Sequence, residues 1–176
     1  MAIFNDDGYQ LLILRHGKAS TDQACQDFDR LLSQKGIEQT EHIGKWMRAQ
    51  DLKPDWLVTS PAKRALMTAD IVSKMLNIAS QDTHIDSDVY GADLDGLFKV
   101  LASCSPKKHN ILLIGHNPLL EYLIEFLLPE AMSKEQKDDL RMLPATLVHI
   151  EMNVDWTHLE RHCAHLISIT HGKFLH

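Results

Sequence analysis

The sequence predicts an α/β fold of three layers, in which helices flank a mostly parallel central sheet. Three stretches indicate it, each a run of mainly large apolar residues followed by a polar turn and a helix-forming segment: Leu11–Leu14, Trp56–Thr59 and Asn110–Ile114. Such runs are typical of strands buried on both faces of a parallel sheet. Because 176 residues suffice to bury a core without metal or disulfide bonds, we expect residues 1–176 to form a single domain.

The first two strand-to-helix connections carry local signals for where each helix begins. Residues 19–32 are predicted to form a loop, and Ser33 is a favoured cap for a helix over Gln34–Gln50. After the second strand, Ser60 can cap a helix and Pro61 can start it, since the missing N–H of proline would be unpaired at that position anyway.

The region between the second helix and the third strand has a weaker pattern. In it, Ile85–Tyr90 is predicted to be a strand or an irregular sheet edge, and Asp93–Ala102 a short helix. After the third strand, Asn117 can cap and Pro118 can start a helix that ends at Pro129. The remaining predicted elements are a charged helical connector over Met132–Met142 and two strands, Thr146–Met152 (with His149 as a strand residue) and Leu166–Thr170.

Composition and charge exclude several classes of function. The formal net charge is −6 and no block of basic residues is present, which argues against nucleic-acid binding. No apolar run is long enough to span a bilayer, and Met1–Gln10 lacks the anatomy of a signal peptide. The cysteines Cys25, Cys104 and Cys163 form no CxxC pair, as is usual for reduced thiols. We therefore expect a cytoplasmic protein that binds neither nucleic acid nor membrane.

Charged and titratable side chains follow all three buried strands where each strand ends. Arg15 and His16 follow the first strand, Arg64 lies in the first turn of the helix after the second, and His116 follows the third. The carboxyl ends of parallel strands share one edge of a doubly wound sheet, so these side chains are expected to meet. Two guanidinium groups can clamp phosphate oxygens while one imidazole attacks phosphorus and the other donates, as an imidazolium, to the developing charge. Phosphoryl transfer in such a site needs mainly positioning and charge neutralisation.

Three motifs in this order resemble those of the histidine phosphatase superfamily: Arg15-His16-Gly17, Ser60-Pro61-x-x-Arg64-Ala65 and Gly115-His116-Asn117-Pro118. The segment Asp27-Phe28-Asp29-Arg30-x-Leu32-Ser33-x-x-Gly36 is similar to that of the small SixA-type phosphohistidine phosphatases. The resemblance covers Leu11–Leu128 and implies a phosphoglycerate mutase-like fold. It implies that His16 is phosphorylated transiently and that Arg15, Arg64 and His116 bind the phosphoryl group. Gly17 and Ser20 are further candidate substrate-binding residues, and no metal ion or cofactor is implied.

The attacking nitrogen of His16 must be neutral, although an anionic substrate favours protonation of both histidines. We therefore expect a backbone carbonyl of the turn around Gly17 to hold the other ring nitrogen as a donor, so that the free nitrogen points at phosphorus.

The resemblance also implies the substrate: phosphohistidine on another protein, for example a histidine phosphotransfer domain, with inorganic phosphate as product and a role in signal transduction. The chain has no insertion large enough to form a lid, and an open site suits a side chain presented by a protein. Asp86, Asp88 and Asp93 are the candidates for a general acid, which an imidazole leaving group needs less than an alkoxide does. The alternatives are a phosphomonoesterase acting on a small metabolite and a catalytically silent phosphate-binding module.

Two other motifs suggest different chemistry. Asp93-Leu94-Asp95-Gly96 imitates an element of the Mg²⁺-dependent haloacid-dehalogenase-type phosphatases, but no buried strand precedes it. A second set has the spacing to hold a metal ion on one face of a helix: His158, His162 and His165, with Cys163. Surface or partly buried histidines are the commoner case at such positions, so we expect no metal site.

Overall fold

A mixed sheet of six strands forms the centre of the computed structural model, which describes residues 8–21, 25–91, 93–129 and 140–176. The strands are β1 (Tyr9–Arg15), β2 (Trp56–Thr59), β3 (Thr83–Ile85), β4 (Asn110–Gly115), β5 (Thr146–Met152) and β6 (Ala164–His171). Their spatial order is β3-β2-β4-β1-β5-β6. Strands β1 to β4 pair in parallel, whereas β5 runs antiparallel to both β1 and β6. The predicted mostly parallel α/β sheet is therefore confirmed.

Helices cover both faces of this sheet. They are α1 (Gln34–Ala49), α2 (Lys63–Leu76), α3 (Asp88–Gly91), α4 (Leu94–Ala102) and α5 (Leu119–Leu127). Leu12 and Leu14 of β1 pack in one core with α1 and α2, while Leu11 and Ile13 pack in a second core with α4 and α5. Because successive side chains of β1 point to opposite faces, both of which are buried, every position of the run is apolar.

Several local predictions are confirmed by the caps and bounds of the elements. The Ser33 hydroxyl accepts a hydrogen bond from the N–H of Gly36 at the start of α1. The Asp93 carboxylate does the same for Gly96 at the start of α4, so the motif that imitates a metal-dependent phosphatase is a helix cap. Strand β5 has the predicted bounds, and His149 is one of its buried residues.

Of the two alternatives for residues 85–90 the regular strand is wrong, and so is the predicted cap at Asn117. Residues 85–90 are not a strand: β3 ends at Ile85, and the Asp86 carboxylate then accepts the N–H of Asp88, which turns the chain into α3. Asn117 does not cap α5, because its side chain is directed elsewhere and Pro118 occupies the cap position. Most of the predicted connector over Met132–Met142 lies outside the described residues.

The histidines near the C-terminus do not share a helix. Residues 153–163 form turns and bends between β5 and β6, and His162 has a positive φ of 62°. His158 instead bonds to Asp155 at 2.9 Å. No group of three or more histidine, cysteine or acidic residues that could hold a metal ion is found in the described ranges. Within those ranges no helix is long and apolar enough to cross a membrane.

Candidate active site at the carboxyl edge of the sheet

The carboxyl ends of β1, β2 and β4 lie side by side at one edge of the sheet. The N–H of His16 donates to the Gly115 carbonyl at 3.2 Å, and that of Ser60 donates to the Ile114 carbonyl at 3.1 Å. The side chains expected to meet at this edge do so: Arg15, His16, Arg64 and His116. The two imidazole rings are 4.9 Å apart between centroids, and Arg64 hydrogen-bonds to both.

His16 is held in one orientation by hydrogen bonds at both ring nitrogens. Its Nδ1 lies 2.7 Å from the carbonyl oxygen of Gly17, and its Nε2 lies 3.1 Å from Nε of Arg64. Since a guanidinium can only donate, Nε2 accepts, and Nδ1 carries the ring proton that it donates to Gly17. Burial, with the nearby charges of Arg64 and Arg15, lowers the pKa of His16 to about 4. His16 is therefore neutral at pH 7, and the expected carbonyl at Gly17 fixes its tautomer.

Arg64 connects the two histidines to the loop before α1. The side chain is only 6% exposed, although it lies in the first turn of α2. One terminal nitrogen donates to the carboxylate of Asp27 at 2.8 Å and lies 3.3 Å from Nδ1 of His116. The other donates to the main-chain carbonyl of Asp27. The guanidinium is therefore fixed by four acceptors rather than free on the surface.

His116 is oriented by Ser60 and Arg64. Its Nε2 lies 2.7 Å from the Ser60 hydroxyl oxygen. Because Nδ1 accepts from Arg64, the neutral ring carries its proton on Nε2 and donates it to Ser60. Burial, the neighbouring His16 and Arg64 lower the pKa of His116 to about 3. His116 is therefore neutral here at pH 7, and the negative charge of a bound phosphoryl group would favour the imidazolium expected during transfer.

Ser60 differs from its predicted role as a helix cap. Its hydroxyl oxygen accepts from the N–H of Ala62 at 3.2 Å, and α2 begins only at Lys63 with Ala62 as the cap residue. The residue is fully buried. It therefore orders the turn before the helix and positions His116 at the same time.

Arg15 is tied to the segment that leads into β5. Its NH1 donates to the carbonyl of Met142 at 2.6 Å, and the Asn117 side chain donates to the same carbonyl at 3.1 Å. Glu121 accepts from both the Asn117 amide and the Met142 N–H. The Nε atom of Arg15 is buried and has no partner among the described residues. Arg15 thus keeps one buried N–H without an acceptor among the described residues.

Gly17 lies where two segments of backbone come very close. A Cβ at this position would lie 2.5 Å from the Thr40 hydroxyl oxygen and 2.6 Å from the Gly36 carbonyl oxygen of α1. The N–H of Gly17 donates to the Thr68 hydroxyl at 3.1 Å, and that hydroxyl donates to the Arg64 carbonyl at 2.8 Å. The sequence reveals Thr68 only by its position one helical turn after Arg64.

The remaining predicted residues lie further from this centre. Ser20 belongs to the loop between β1 and α1, where its N–H donates to Leu31 and its carbonyl accepts from Arg30. Of the candidate acids, Asp86 and Asp88 form the turn into α3, whereas Asp93 caps α4 and also lines a groove beside His116. A general-acid role for any of them stays a prediction. A substrate-binding role for Ser20 stays a prediction.

Asp27 and Tyr90 contact Arg64 and His116 but were not predicted to do so. The Asp27 carboxylate bonds to Arg64, and the Tyr90 hydroxyl donates to that carboxylate at 3.3 Å. The Tyr90 ring packs edge-on against the ring of His116, with centroids 5.3 Å apart. Only the segment that begins at Asp27 gave a signal, and it did not indicate which group Asp27 contacts.

Comparisons with known proteins agree with this geometry. The sequence profile of the histidine phosphatase superfamily (branch 1) matches residues 11–89. Phosphohistidine phosphatase SixA of Escherichia coli (strain K12) is 28% identical over 121 residues, which are 68% of this chain and 74% of that protein. A candidate phosphohistidine phosphatase SixA from Nakamurella multipartitia has a TM-score of 0.79 at 22% identity, covering 93% of this chain and 96% of that one. The protein histidine phosphatase SixA complexed with tungstate has a TM-score of 0.77 at 21% identity, covering 93% and 97%. The solved structures confirm the fold.

Proposed function

Because the chain belongs to the histidine phosphatase superfamily, we propose that this phosphatase hydrolyses phosphohistidine on another protein through a phosphorylated His16, without a metal ion. The observation that carries the proposal is the fixed, neutral imidazole of His16. Its Nδ1 donates to the Gly17 carbonyl oxygen, 2.7 Å away. The lone pair of its Nε2 lies among the cationic groups that would bind a phosphoryl oxygen.

In the first step Nε2 of His16 attacks phosphorus, and the bond between phosphorus and the substrate nitrogen breaks. The electron pair of that bond goes to the leaving imidazole. Arg15, Arg64 and His116 hold the phosphoryl oxygens while charge redistributes in the transition state. Arg64 must turn its Nε–H from His16 to the phosphoryl group as the lone pair is used.

In the second step water attacks the phosphoryl group on His16, which releases inorganic phosphate and restores the neutral imidazole. The proton stays on Nδ1 of His16, hydrogen-bonded to the Gly17 carbonyl, so Nε2 serves first as nucleophile and then as leaving group. Two bond exchanges at phosphorus therefore complete the cycle without an electrophile beyond the side chains named.

An open site supports a protein-borne substrate. A groove of about 600 Å³ adjoins His116, and Tyr90, Leu94 and Tyr122 are among the residues that line it. A phosphorylated side chain can enter such a groove while its backbone stays on the surface. The proposal includes residues 1–176 acting as one cytoplasmic domain that signals through a partner such as a histidine phosphotransfer domain.

The test uses a phosphotransfer domain labelled on histidine, beside 4-nitrophenyl phosphate as an ester. Rapid quenching without acid is expected to trap label on the enzyme in a form that is acid-labile and alkali-stable. His16→Ala is expected to lose both the label and turnover, while His158→Ala, which replaces an exposed histidine, serves as the matched control. Turnover by His16→Ala near the wild-type rate would refute the covalent mechanism.

A phosphomonoesterase acting on a small metabolite is the second candidate. The volume of the groove beside His116 falls within the range of small-molecule sites, which favours it. Ester hydrolysis without phosphohistidine hydrolysis would support this candidate. Binding of tungstate without turnover of either substrate would instead indicate a silent phosphate-binding module.

A further inference from the structure

Asp27 places a carboxylate at the mouth of the site, among groups that otherwise favour anions. Its side chain is 55% exposed, whereas His16, Arg64 and His116 are 7%, 6% and 8% exposed. In an in-line displacement the leaving group departs on the side opposite the nucleophile. Because His16 lies at the buried end, the leaving group departs toward the mouth, where Asp27 lies.

The Asp27 carboxylate is held in place from several sides. Oδ2 accepts from Arg64 at 2.8 Å and from the Tyr90 hydroxyl at 3.3 Å, and Oδ1 accepts from Arg30 at 3.2 Å. Partial burial acts to raise the pKa of Asp27, but these hydrogen bonds and the charge of Arg64 outweigh it and hold the pKa below its usual value. Asp27 is thus ionised at neutral pH, and within the described residues Oδ1 has capacity for a further donor.

Two aromatic rings adjoin this carboxylate. Phe28 and Tyr90 pack edge to face with centroids 5.1 Å apart, and each is 37% exposed. The Tyr90 ring also contacts His116 on its inner side. A flat ring that enters the mouth can therefore pack against aromatic surface while its polar edge reaches Asp27.

We infer that Asp27 accepts a hydrogen bond from the distal ring N–H of the substrate phosphohistidine and so selects a phosphorylated imidazole over a phosphate ester. This inference rests on the proposed function. Asp27 is in this sense a specificity-determining residue, which neither the motif arginines nor the histidines can replace because they recognise only the phosphoryl group.

The chemistry of the leaving group explains the selection. When the distal nitrogen of a phosphorylated imidazole is protonated, breaking the P–N bond returns the electron pair to the near nitrogen and releases a neutral imidazole. No proton has to be delivered to the leaving atom. An ionised carboxylate stabilises that distal N–H. The leaving oxygen of an alkyl ester needs a proton, which an ionised Asp27 does not carry, and an aryl ester such as 4-nitrophenyl phosphate has no N–H for Asp27 to accept.

The experiment compares kcat/KM for a phosphohistidine peptide and for 4-nitrophenyl phosphate in three proteins: wild type, Asp27→Asn and Asp29→Asn. Asp29 is the matched control, since it lies two residues away and pairs with Lys63 instead. The ratio of the two kcat/KM values is expected to fall roughly tenfold or more in Asp27→Asn, because a charge-assisted hydrogen bond is lost. Asp29→Asn is expected to keep the wild-type ratio.

A change on the substrate side provides a second readout. Phosphoimidazole has the distal N–H, and its N-methyl derivative does not. The preference of the wild type for phosphoimidazole over the methyl derivative is expected to shrink in Asp27→Asn, as in a double-mutant cycle. Equal loss on both substrates, or an unchanged ratio in Asp27→Asn, overturns the inference. A wild type that cleaves the ester but not the peptide instead refutes the proposed function.

Discussion

The Nε–H of Arg64 donates to Nε2 of His16 across 3.1 Å, so the lone pair that attacks phosphorus in the proposed mechanism is already hydrogen-bonded. The same guanidinium also bonds to Asp27 and His116. Substrate must therefore exchange some of these internal hydrogen bonds for bonds to phosphoryl oxygen. In the proposed mechanism Arg64 thus both orients His16 before substrate binds and carries positive charge that binds the phosphoryl group.

Replacing Arg64 tests this double role. The first turn of a helix tolerates alanine, but the buried side chain is bonded to His16, Asp27 and His116, so Arg64→Ala is expected to lose roughly 1–3 kcal/mol of stability and still fold. Turnover is expected to fall roughly 100-fold or more, as when a preorganised donor is removed. Arg64→Lys is expected to recover little, since lysine lacks the forked donors.

Arg48→Ala, at an exposed position of α1, is the control for both measurements, made by steady-state kinetics and urea unfolding. A folded Arg64→Ala variant with near wild-type turnover contradicts the assignment of Arg64 to phosphate binding.

Chelation tests the proposed metal independence. Because the positive charge comes from Arg15, Arg64 and a protonated His116, turnover is expected to survive incubation with excess EDTA. The measurement is phosphate release before and after chelation and again after Mg²⁺ is added. Loss with EDTA and recovery with Mg²⁺ would mean that the charge is supplied by an ion.

Acid is expected to destabilise the fold through its buried histidines. Burial lowers the pKa of His149 from 6.5 to about 4, so between these values the unfolded chain binds a proton there that the folded chain does not. The contribution of the neutral His149 to the free energy of unfolding is fully present above pH 6.5 and is lost as pH falls toward 4. From pH 7.5 to 5, His149→Gln is expected to lose about 2 kcal/mol less free energy of unfolding than the wild type.

Urea unfolding at the two pH values measures this difference. Ile150→Val is the control, because it removes buried methylene without removing a titrating group and should keep the wild-type pH dependence. An identical pH dependence in His149→Gln and wild type would show that His149 is protonated alike in both states.

Gly17→Ala is expected to be destabilising. The added methyl meets Thr40 and the backbone of Gly36, and relieving that overlap is expected to cost roughly 1–3 kcal/mol. Turnover should fall as well, because the Gly17 carbonyl orients His16. Gly91→Ala is the control, since a Cβ there meets nothing within 4 Å. Equal unfolding midpoints for the two variants would mean that the Gly17 turn and α1 move apart without loss of stability.

The fold and the central side chains could be predicted because local patterns encode them. Apolar runs doubly buried in the sheet and Ser33 before α1 are signals within a few residues of one another. The contact of Asp27 with Arg64 could not be predicted, because it depends on how a loop folds over a helix 37 residues away. The side-chain direction of Asn117 depends partly on the Met142 carbonyl, which only the folded chain brings close. The turn at Asp86 instead rests on a local bond from the N–H of Asp88, which the apolar pattern of the segment does not indicate.

The charge state of His116 is a further case. Its position at a strand end was evident, but burial together with His16 and Arg64 decides that the ring is neutral without ligand. A pattern of residue types carries no measure of desolvation, so it indicates an imidazolium during phosphoryl transfer but not the neutral ring that burial produces.

The parallel pairing of β1 with β4 joins residues about one hundred positions apart, such as Leu14 with Ile114. Closing so long a loop lowers the chain entropy before the contacts between the two strands can stabilise it, so this pairing favours slow folding. His16 and His116 come together only after that pairing, and no fragment of the chain holds the whole anion site. We therefore expect an oxyanion such as tungstate to bind the native state and not the unfolded ensemble. At one hundred times its dissociation constant it should add about 2.7 kcal/mol to the free energy of unfolding, and its binding should reappear in step with the slowest phase of refolding.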